Sequence, residues 1–444
     1  MSISERKMLK RVVGSSLIGS VIEWYDFFLY GVIAGIVLNK LYFPANDPFI
    51  STLLAYVTFG VGFVTRPLGG IIFGHFGDKI GRKSMLIITL TMMGLSTALI
   101  ALIPTYRLIG IWAPILLLLL RIIQGIGLGG EWGGAVLMTF EHAPRSKRGL
   151  YASLPQIGLS IGLLLSSGVV GLLSSLLSND QFMTWGWRAA FGLSTVMIFL
   201  GLWIRINVSE TPEFQNVKKY KGESRIPFAE MWRKHTGNII AGMGARYIDG
   251  VFFNIMGVFS ITYLTNTVQI SRSTALLGVS IAAFVMCFFI PLFGHISDRI
   301  GRSRTYWCGS LITGFSAVPA FWLMSSGGGN TLLIWLAVVI PLGIFYAAVY
   351  GPEAALFAEL FDARVRYTGM SFVYQFSGIF ASGLTPIIAA TLLKLNNGSP
   401  KLLTLYIVFS GIISALSAFW IYTRKNRLIK NSDSEDIEIL ELKK

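Results

Sequence analysis

The chain has 444 residues, of which 53% are hydrophobic and only 13% charged, and its formal net charge is +15. Soluble domains carry about 25% charged residues, so this composition and a mean hydropathy of +0.64 exclude an ordinary soluble protein. The apolar residues form long blocks without the alternation of barrel strands, and about 20 apolar residues cross a bilayer as a helix. The composition therefore predicts an all-α polytopic membrane protein.

Twelve apolar blocks are predicted to be transmembrane helices. They cover residues 13–39, 50–75, 84–104, 112–140, 150–177, 187–207, 237–265, 274–297, 305–325, 331–358, 367–393 and 402–423. A polar, charged stretch after the sixth block divides the chain. The predicted segments are an N-terminal half over 1–207, a cytoplasmic linker over 208–236, a C-terminal half over 237–423 and a cytoplasmic tail over 424–444. The tail has no sustained heptad and is expected to fray.

The positive charges predict the orientation. Lys and Arg are concentrated in both termini and in every second loop. The other loops hold six of them: Lys40, Arg107, Arg188, Arg272, Lys394 and Lys401. Because an excess of Lys and Arg marks the cytoplasmic side, both termini are predicted to be cytoplasmic. The basic residues lie in short loops between apolar blocks, which disfavours a nucleic-acid partner.

A loop of the form Gly-x-x-x-Asp-Lys/Arg-x-Gly-Arg occurs twice, at Gly74–Arg82 and at Gly294–Arg302. Its glycines, among them Gly81 and Gly301, allow a tight turn and close helix approach. The aspartate of the first copy, Asp78, is expected to cap the next helix or to pair with a basic residue of a neighbouring helix. Such a contact can form and break, which suits a gate.

A second loop repeats at nearly the same offset. Glu141 precedes Arg148 after the fourth block, and Glu359 precedes Arg366 after the tenth. The first loop repeats at an offset of 220 residues (298 − 78) and the second at 218 (359 − 141). Internal repeats with a site at their interface are typical of secondary transporters.

These motifs carry a family resemblance. The doubled loop resembles the signature of the major facilitator superfamily, and other stretches resemble its metabolite:proton symporter family. Those stretches are Glu23–Phe27, Arg66–Gly70, Arg121–Gly125, Gly129–Trp132, Trp185–Arg188, Glu210–Phe214 and Arg366–Gly369. Arg246 and Asp249 resemble the Arg-x-x-Glu of the shikimate-type branch.

The resemblance implies a major facilitator fold of two pseudo-symmetric six-helix bundles, with spans 1, 4, 7 and 10 lining a central cavity. It also implies a monomer in the cell membrane that imports carboxylates or zwitterions with protons. The residues assigned to the gate are Gly74, Asp78, Gly81, Arg82, Asp298, Gly301, Arg302, Arg66, Glu141, Arg148, Glu359 and Arg366. Arg66 is placed near the cytoplasmic end of the second span.

Ionisable residues inside the spans are the main functional candidates, because charge within a bilayer is costly. Glu23 and Asp26, and likewise Arg246 and Asp249, are three residues apart and are expected to share a helix face. Arg121 and Arg246 are interpreted as planar donors for a substrate carboxylate. The candidates for proton coupling are Asp26, Glu23, Glu131, Asp249 and Glu353.

Polar aromatic and amide side chains near these charges are candidates for substrate contact. They are Tyr25, Tyr247, Tyr374 and Gln375. Plain helix packing is the competing interpretation, since aromatic residues are abundant here. Gly125-x-Gly127-x-x-Gly130 matches a dinucleotide fingerprint but lies inside an apolar helix, where small residues bring membrane helices together.

The predicted function is proton-coupled import of a small organic acid, shikimate-like or another mono- or dicarboxylate, by alternating access. The alternatives are uptake of a zwitterionic osmolyte such as proline or betaine, an exporter of the same superfamily, and a membrane sensor or transceptor. No cofactor, metal site or enzymatic activity is expected, because no nucleophilic or metal-binding constellation and no Walker A motif is evident in the sequence.

Overall fold

The computed structural model describes residues 3–44, 48–207, 210, 227–326 and 330–441, and these residues contain helices and no strand. The long helices are α1 Ile3–Ile33, α2 Pro48–Ile80, α3 Arg82–Leu102, α4 Trp112–His142, α5 Arg148–Ser153 with Ile157–Leu176, α6 Trp187–Ile206, α7 Pro227–Phe253, α8 Arg272–Ile300, α9 Arg302–Ser326, α10 Thr331–Val338 with Ala347–Glu359, α11 Arg366–Gly378 with Thr385–Leu395, and α12 Lys401–Glu441.

The helices have the length and surface of membrane spans. Within the described residues, eleven are long and apolar enough to cross a bilayer, and α2, with 33 residues, is the twelfth long helix. Large apolar side chains cover the outside, for example Leu102 at 73% exposure and Trp203 at 67%. Charged side chains such as Arg121 and Glu353 are buried instead. This inverted distribution suits lipid, and the predicted all-α fold is confirmed.

Glycines bring α2 and α4 into backbone contact. A Cβ on Gly69 would lie 1.9 Å from the carbonyl oxygen of Ile126, and one on Gly129 would lie 2.0 Å from that of Arg66. Only glycine fits at these positions. The glycine-rich stretch of α4 is therefore a helix-packing surface, as the sequence predicted.

The internal repeat extends to local helix geometry. The π-helical turn Ala34–Leu38 continues α1, and the π-helical turn Asn254–Phe259 continues α7. Their starts are 220 residues apart (254 − 34), the offset of the doubled loop. Turns of this kind commonly interrupt helices at functional sites.

Two predicted boundaries need correction. Helix α7 begins at Pro227, so residues 227–236 of the expected linker are helical, with a backbone kink at His235 (φ −122°, ψ 20°). Apart from Glu210, the rest of that linker lies outside the described residues. Helix α12 continues to Glu441, so the expectation of a frayed tail is wrong for the backbone up to that residue.

Candidate transport centre and gate

The first copy of the doubled loop binds the opposite half. Asp78 accepts hydrogen bonds from the backbone N–H groups of Tyr367 (3.3 Å) and Thr368 (3.0 Å), and from the Thr368 hydroxyl (2.8 Å). These donors form the first turn of α11, where N–H groups lack helical partners and the helix dipole favours an anion. Asp78 therefore caps α11 rather than the next helix, and it also lies 3.4 Å from Arg82 on that next helix.

The second copy, in the C-terminal half, binds the N-terminal half in the same way. Asp298 accepts hydrogen bonds from the backbone N–H groups of Gly149 (2.7 Å) and Leu150 (2.9 Å), in the first turn of α5. Arg148, at the start of that turn, lies with its guanidinium 4.4 Å from the centre of the Phe140 ring. Each half thus supplies one carboxylate that caps a helix of the other half.

Ion pairs surround the two caps. Arg82 lies 3.6 Å from Glu141, and Arg366 donates to the same glutamate at 3.1 Å from the opposite half. In the second copy, Arg302 lies 2.6 Å from Glu359. We call the face that carries Gly74–Arg82 and Gly294–Arg302 the motif face. Its charged contacts hold the two halves together in this conformation.

The loop glycines are required by the backbone. Gly81 has φ +124° and Gly301 has φ +107°, in the region that favours glycine. Close approach accounts for Gly74, because a Cβ there would lie 2.7 Å from the Cα of Thr368 on α11. The tight turn and close approach expected from the sequence are both present.

A polar chain links two of the predicted charges in the N-terminal half. Thr97 of α3 donates to Asp26 at 2.8 Å, and Ser194 of α6 also donates to this carboxylate. Gln124 donates to Thr97 at 2.9 Å and accepts from Arg121 at 2.5 Å. None of the three neutral members is among the predicted site residues, and for Thr97 and Ser194 the reason is that hydroxyl groups in apolar helices more often bond to their own backbone.

Glu131 is held by a partner that the sequence analysis also missed. Arg205 of α6 pairs with both of its carboxylate oxygens, one of them at 3.0 Å, and Thr89 donates to it at 3.0 Å. All three side chains are buried. A carboxylate so fully bound ties α4 to α3 and α6, which argues against the predicted proton-carrying role of Glu131.

The C-terminal half holds a more compact charge cluster. Arg246 forms an ion pair with Asp249, which confirms that the two share a helix face, and its Nε lies 3.4 Å from Glu353. The Tyr346 hydroxyl donates to Asp249. Neither carboxylate oxygen of Glu353 has a hydrogen-bond partner within the described part of the chain. One arginine therefore serves two buried carboxylates.

An aromatic stack joins this cluster to the N-terminal half. Tyr374 of α11 stacks on Trp132 of α4 with ring centres 3.6 Å apart, and the Arg246 guanidinium lies 4.0 Å from the Tyr374 ring centre. Trp132 also donates to Gln156 at 2.7 Å. Tyr374 thus lies beside the charged centre, at the interface between the halves.

Three other predicted substrate contacts form hydrogen bonds to neighbouring helices. The Tyr25 hydroxyl donates to the carbonyl of Ala190 on α6 at 3.0 Å, and that of Tyr247 lies 3.1 Å from the Tyr406 hydroxyl on α12. Gln375 donates to the backbone of α4 at 3.2 Å. These hydrogen bonds connect helices, so helix packing, the competing interpretation, describes these side chains better.

Arg66 does not lie with the gate. It precedes the end of α2 at Ile80 by 14 residues, which is about 21 Å along a helix. Asp78, by contrast, is two residues from that end. Helix α2 extends five residues beyond the predicted limit at 75, and the place of Arg66 near the cytoplasmic end of its span stays a prediction.

Two six-helix bundles that meet around buried charges, with a repeated loop motif at one face, are typical of a secondary transporter. Residues 13–239 match the family described as "Sugar (and other) transporter", and residues 242–442 match the Major Facilitator Superfamily. The chain belongs to the major facilitator superfamily and is a multi-pass membrane transporter, not an enzyme.

Characterised relatives agree with this assignment. The shikimate transporter of Escherichia coli (strain K12) is 39% identical over 92% of this chain and 93% of its own length. The proline/betaine transporter of Salmonella typhimurium is 33% identical over 99% of this chain and 89% of its own. The proton:xylose symporter XylE, bound to 6-bromo-6-deoxy-D-glucose, shares the fold with TM-score 0.78 at 18% identity, over 94% of this chain and 96% of that one.

Proposed function

We propose that this transporter imports a small organic acid together with protons, by alternating access. The observation that carries the proposal is the cluster of Arg246, Asp249 and Glu353, which contacts the opposite half through Tyr374 and Trp132. A solute anion that binds near this cluster weakens the hold of Arg246 on its two carboxylates. A carboxylate released in this way binds a proton more readily, which couples solute and proton binding.

The N-terminal half supports the same mechanism. The polar chain from Asp26 to Arg121 connects an acid to a buried arginine through neutral groups. Arginine offers a carboxylate two parallel hydrogen bonds in a fixed plane. The likeness to a transporter named for shikimate, an acid, favours this substrate class.

The proposed orientation gives the motif face its role. With both termini in the cytoplasm, the caps made by Asp78 and Asp298 close the cytoplasmic end of the pathway. Release of solute into the cell then requires both caps to break. This conformation corresponds to a protein that is closed toward the cytoplasm.

Uptake of a zwitterion is the second candidate. It is supported by the likeness to proline/betaine transporters and by the stacked rings of Trp132 and Tyr374 beside two carboxylates. Aromatic faces and carboxylates are the groups that bind quaternary ammonium ions.

The test is uptake by the purified full chain in proteoliposomes with an imposed proton gradient. Labelled shikimate, 2-oxoglutarate, citrate and betaine are offered separately, and vesicles with a protonophore are the control. We expect gradient-dependent accumulation of at least one acid, lost in Arg121→Ala protein that is still inserted in the vesicles. Accumulation of betaine without any acid would replace the first candidate by the second.

A further inference from the structure

Arg66 is a buried cation without an anionic partner in this conformation. Its side chain is 6% exposed at the middle of α2. Among the residues that the structure describes, it forms no ion pair within 4.0 Å and no hydrogen bond, and its Nε is buried without an acceptor. Burying an arginine in this state is costly, because the charge loses water without gaining a counter-ion in direct contact.

The surroundings of Arg66 are aromatic. Its guanidinium lies 4.8 Å from the ring centre of Phe27 on α1 and 4.6 Å from that of Phe63 on its own helix. The two rings are themselves in edge-to-face contact, with centres 5.0 Å apart. Both rings stabilise the cation through their faces, a weaker interaction than an anion would make.

An acid precedes the Phe27 ring on α1. Glu23 precedes Phe27 by one helical turn on α1 and is 2% exposed, and its Oε2 is buried without a hydrogen-bond partner among the described residues. Glu23 and Arg66 interact electrostatically, although they form no ion pair within 4.0 Å. The site therefore contains an unpaired acid and an unpaired base.

Helix α2 also contacts the opposite half one turn after Arg66. A Cβ on Gly70 would lie 3.2 Å from the carbonyl oxygen of Ser371 on α11. A ligand at Arg66 would thus lie close to the interface between the two halves.

We propose that Arg66 binds a carboxylate of the transported solute beside the contacting rings of Phe27 and Phe63. The anion completes the hydrogen bonds of the guanidinium, and the two rings pack against the apolar part of the solute. Arg246 already carries Asp249 and Glu353, so Arg66 is the better placed of these two arginines to accept an additional anion. This inference rests on the proposed function, since it assumes that the solute is an acid.

The experiment compares wild type, Arg66→Gln and Arg66→Lys in proteoliposomes. The probe is labelled shikimate, and unlabelled shikimate and its uncharged methyl ester are competitors. Arg107→Gln is the control, because it removes an exposed arginine from the short helix between α3 and α4. The ratio of the two inhibition constants measures recognition of the carboxylate, and a purely structural role of Arg66 would not change it.

We expect Arg66→Gln to raise the KM for shikimate about tenfold or more, since hydrogen bonds to charged groups are lost. It should also abolish the preference for acid over ester. Arg66→Lys, which keeps the charge without the planar fork, should raise KM several-fold and keep the preference. The Arg107→Gln protein should match wild type in both quantities.

A wild-type KM and acid-to-ester ratio in Arg66→Gln overturns the inference while leaving the proposed function intact. If that variant does not fold, a wild-type KM in Arg66→Lys has the same meaning. Failure of the wild-type protein to take up any of the acids, with betaine accumulated instead, overturns the proposed function and the inference with it.

Discussion

At the motif face, Asp78 caps α11 and Asp298 caps α5, so both halves perform the same task with the same residue. In the centre the halves differ. The N-terminal half connects Asp26 to Arg121 through neutral side chains, whereas the C-terminal half places Arg246 directly against two carboxylates. The motif face retains the internal symmetry, because each aspartate caps an equivalent helix start in the other half. The centre departs from it, because its charges have different partners in the two halves.

The largest expected effect is in the C-terminal centre. Arg246→Ala leaves Asp249 and Glu353 buried without their cation, which should lower the free energy of unfolding by about 3–5 kcal/mol and abolish uptake. Thermal unfolding in detergent and uptake in proteoliposomes measure the two effects. The triple variant Arg246→Ala, Asp249→Asn, Glu353→Gln is the control, and it should recover most of the stability without recovering uptake. Wild-type stability of the single variant would contradict the paired arrangement.

The N-terminal centre should respond differently. Asp26→Asn keeps the size and an acceptor for the hydroxyl groups of Thr97 and Ser194, so stability should change by no more than about 1 kcal/mol. It removes the titratable group, so gradient-driven accumulation should be lost while solute exchange continues. Counterflow assays measure solute exchange, and accumulation assays on the same vesicles measure gradient-driven uptake. Wild-type accumulation would exclude Asp26 as the proton carrier.

The symmetry of the gate predicts equal effects of Asp78→Asn and Asp298→Asn. In each variant an amide N–H₂ or a weaker acceptor faces backbone N–H groups, which should destabilise the closed motif face by about 1–3 kcal/mol. Alkylation of a cysteine introduced at the buried Ser371, with Cys287 and Cys308 replaced by serine, reports the opening. Faster alkylation in only one of the two variants would show that the copies are not equivalent.

The smallest expected effect concerns the loop turns. Gly81→Ala and Gly301→Ala force a side chain into positive φ, which should cost about 1 kcal/mol each. Gly168→Ala on α5, where a Cβ meets nothing within 4 Å, is the matched control and should be neutral or slightly stabilising. Apparent melting temperatures of the three variants test this order.

Spacing within one helix was sufficient for several site features. Arg246 and Asp249, three residues apart, are predicted to share a helix face, and in the structure they do so as an ion pair. The doubled loop predicted two gate copies, and its glycines adopt the expected turn. These predictions succeed because neighbours at three or four residues on a helix are determined by helix geometry alone.

Contacts between helices were predicted poorly. The sequence did not indicate that Arg205 neutralises Glu131, or that Asp78 caps α11 instead of the next helix. Tyr25 and Tyr247 are predicted to contact the substrate near the buried charges, yet their hydroxyl groups form hydrogen bonds with α6 and α12. Apolar helices of similar composition can pack against one another in many registers. The residues around a side chain in the sequence therefore do not indicate which residue of another helix it will contact.

The sequence by itself determined the membrane class, the twelve helices, the internal repeat and the list of buried charges. The length of an apolar segment and a repeated motif can both be read from the local sequence. Inside the bilayer these segments satisfy their backbone hydrogen bonds by forming helices. Only the tertiary structure decided how the charges are shared among partners. It separated Glu131, which is fully bound, from Arg66, which is left without an anion, because that distinction depends on the packing of helices far apart in the chain.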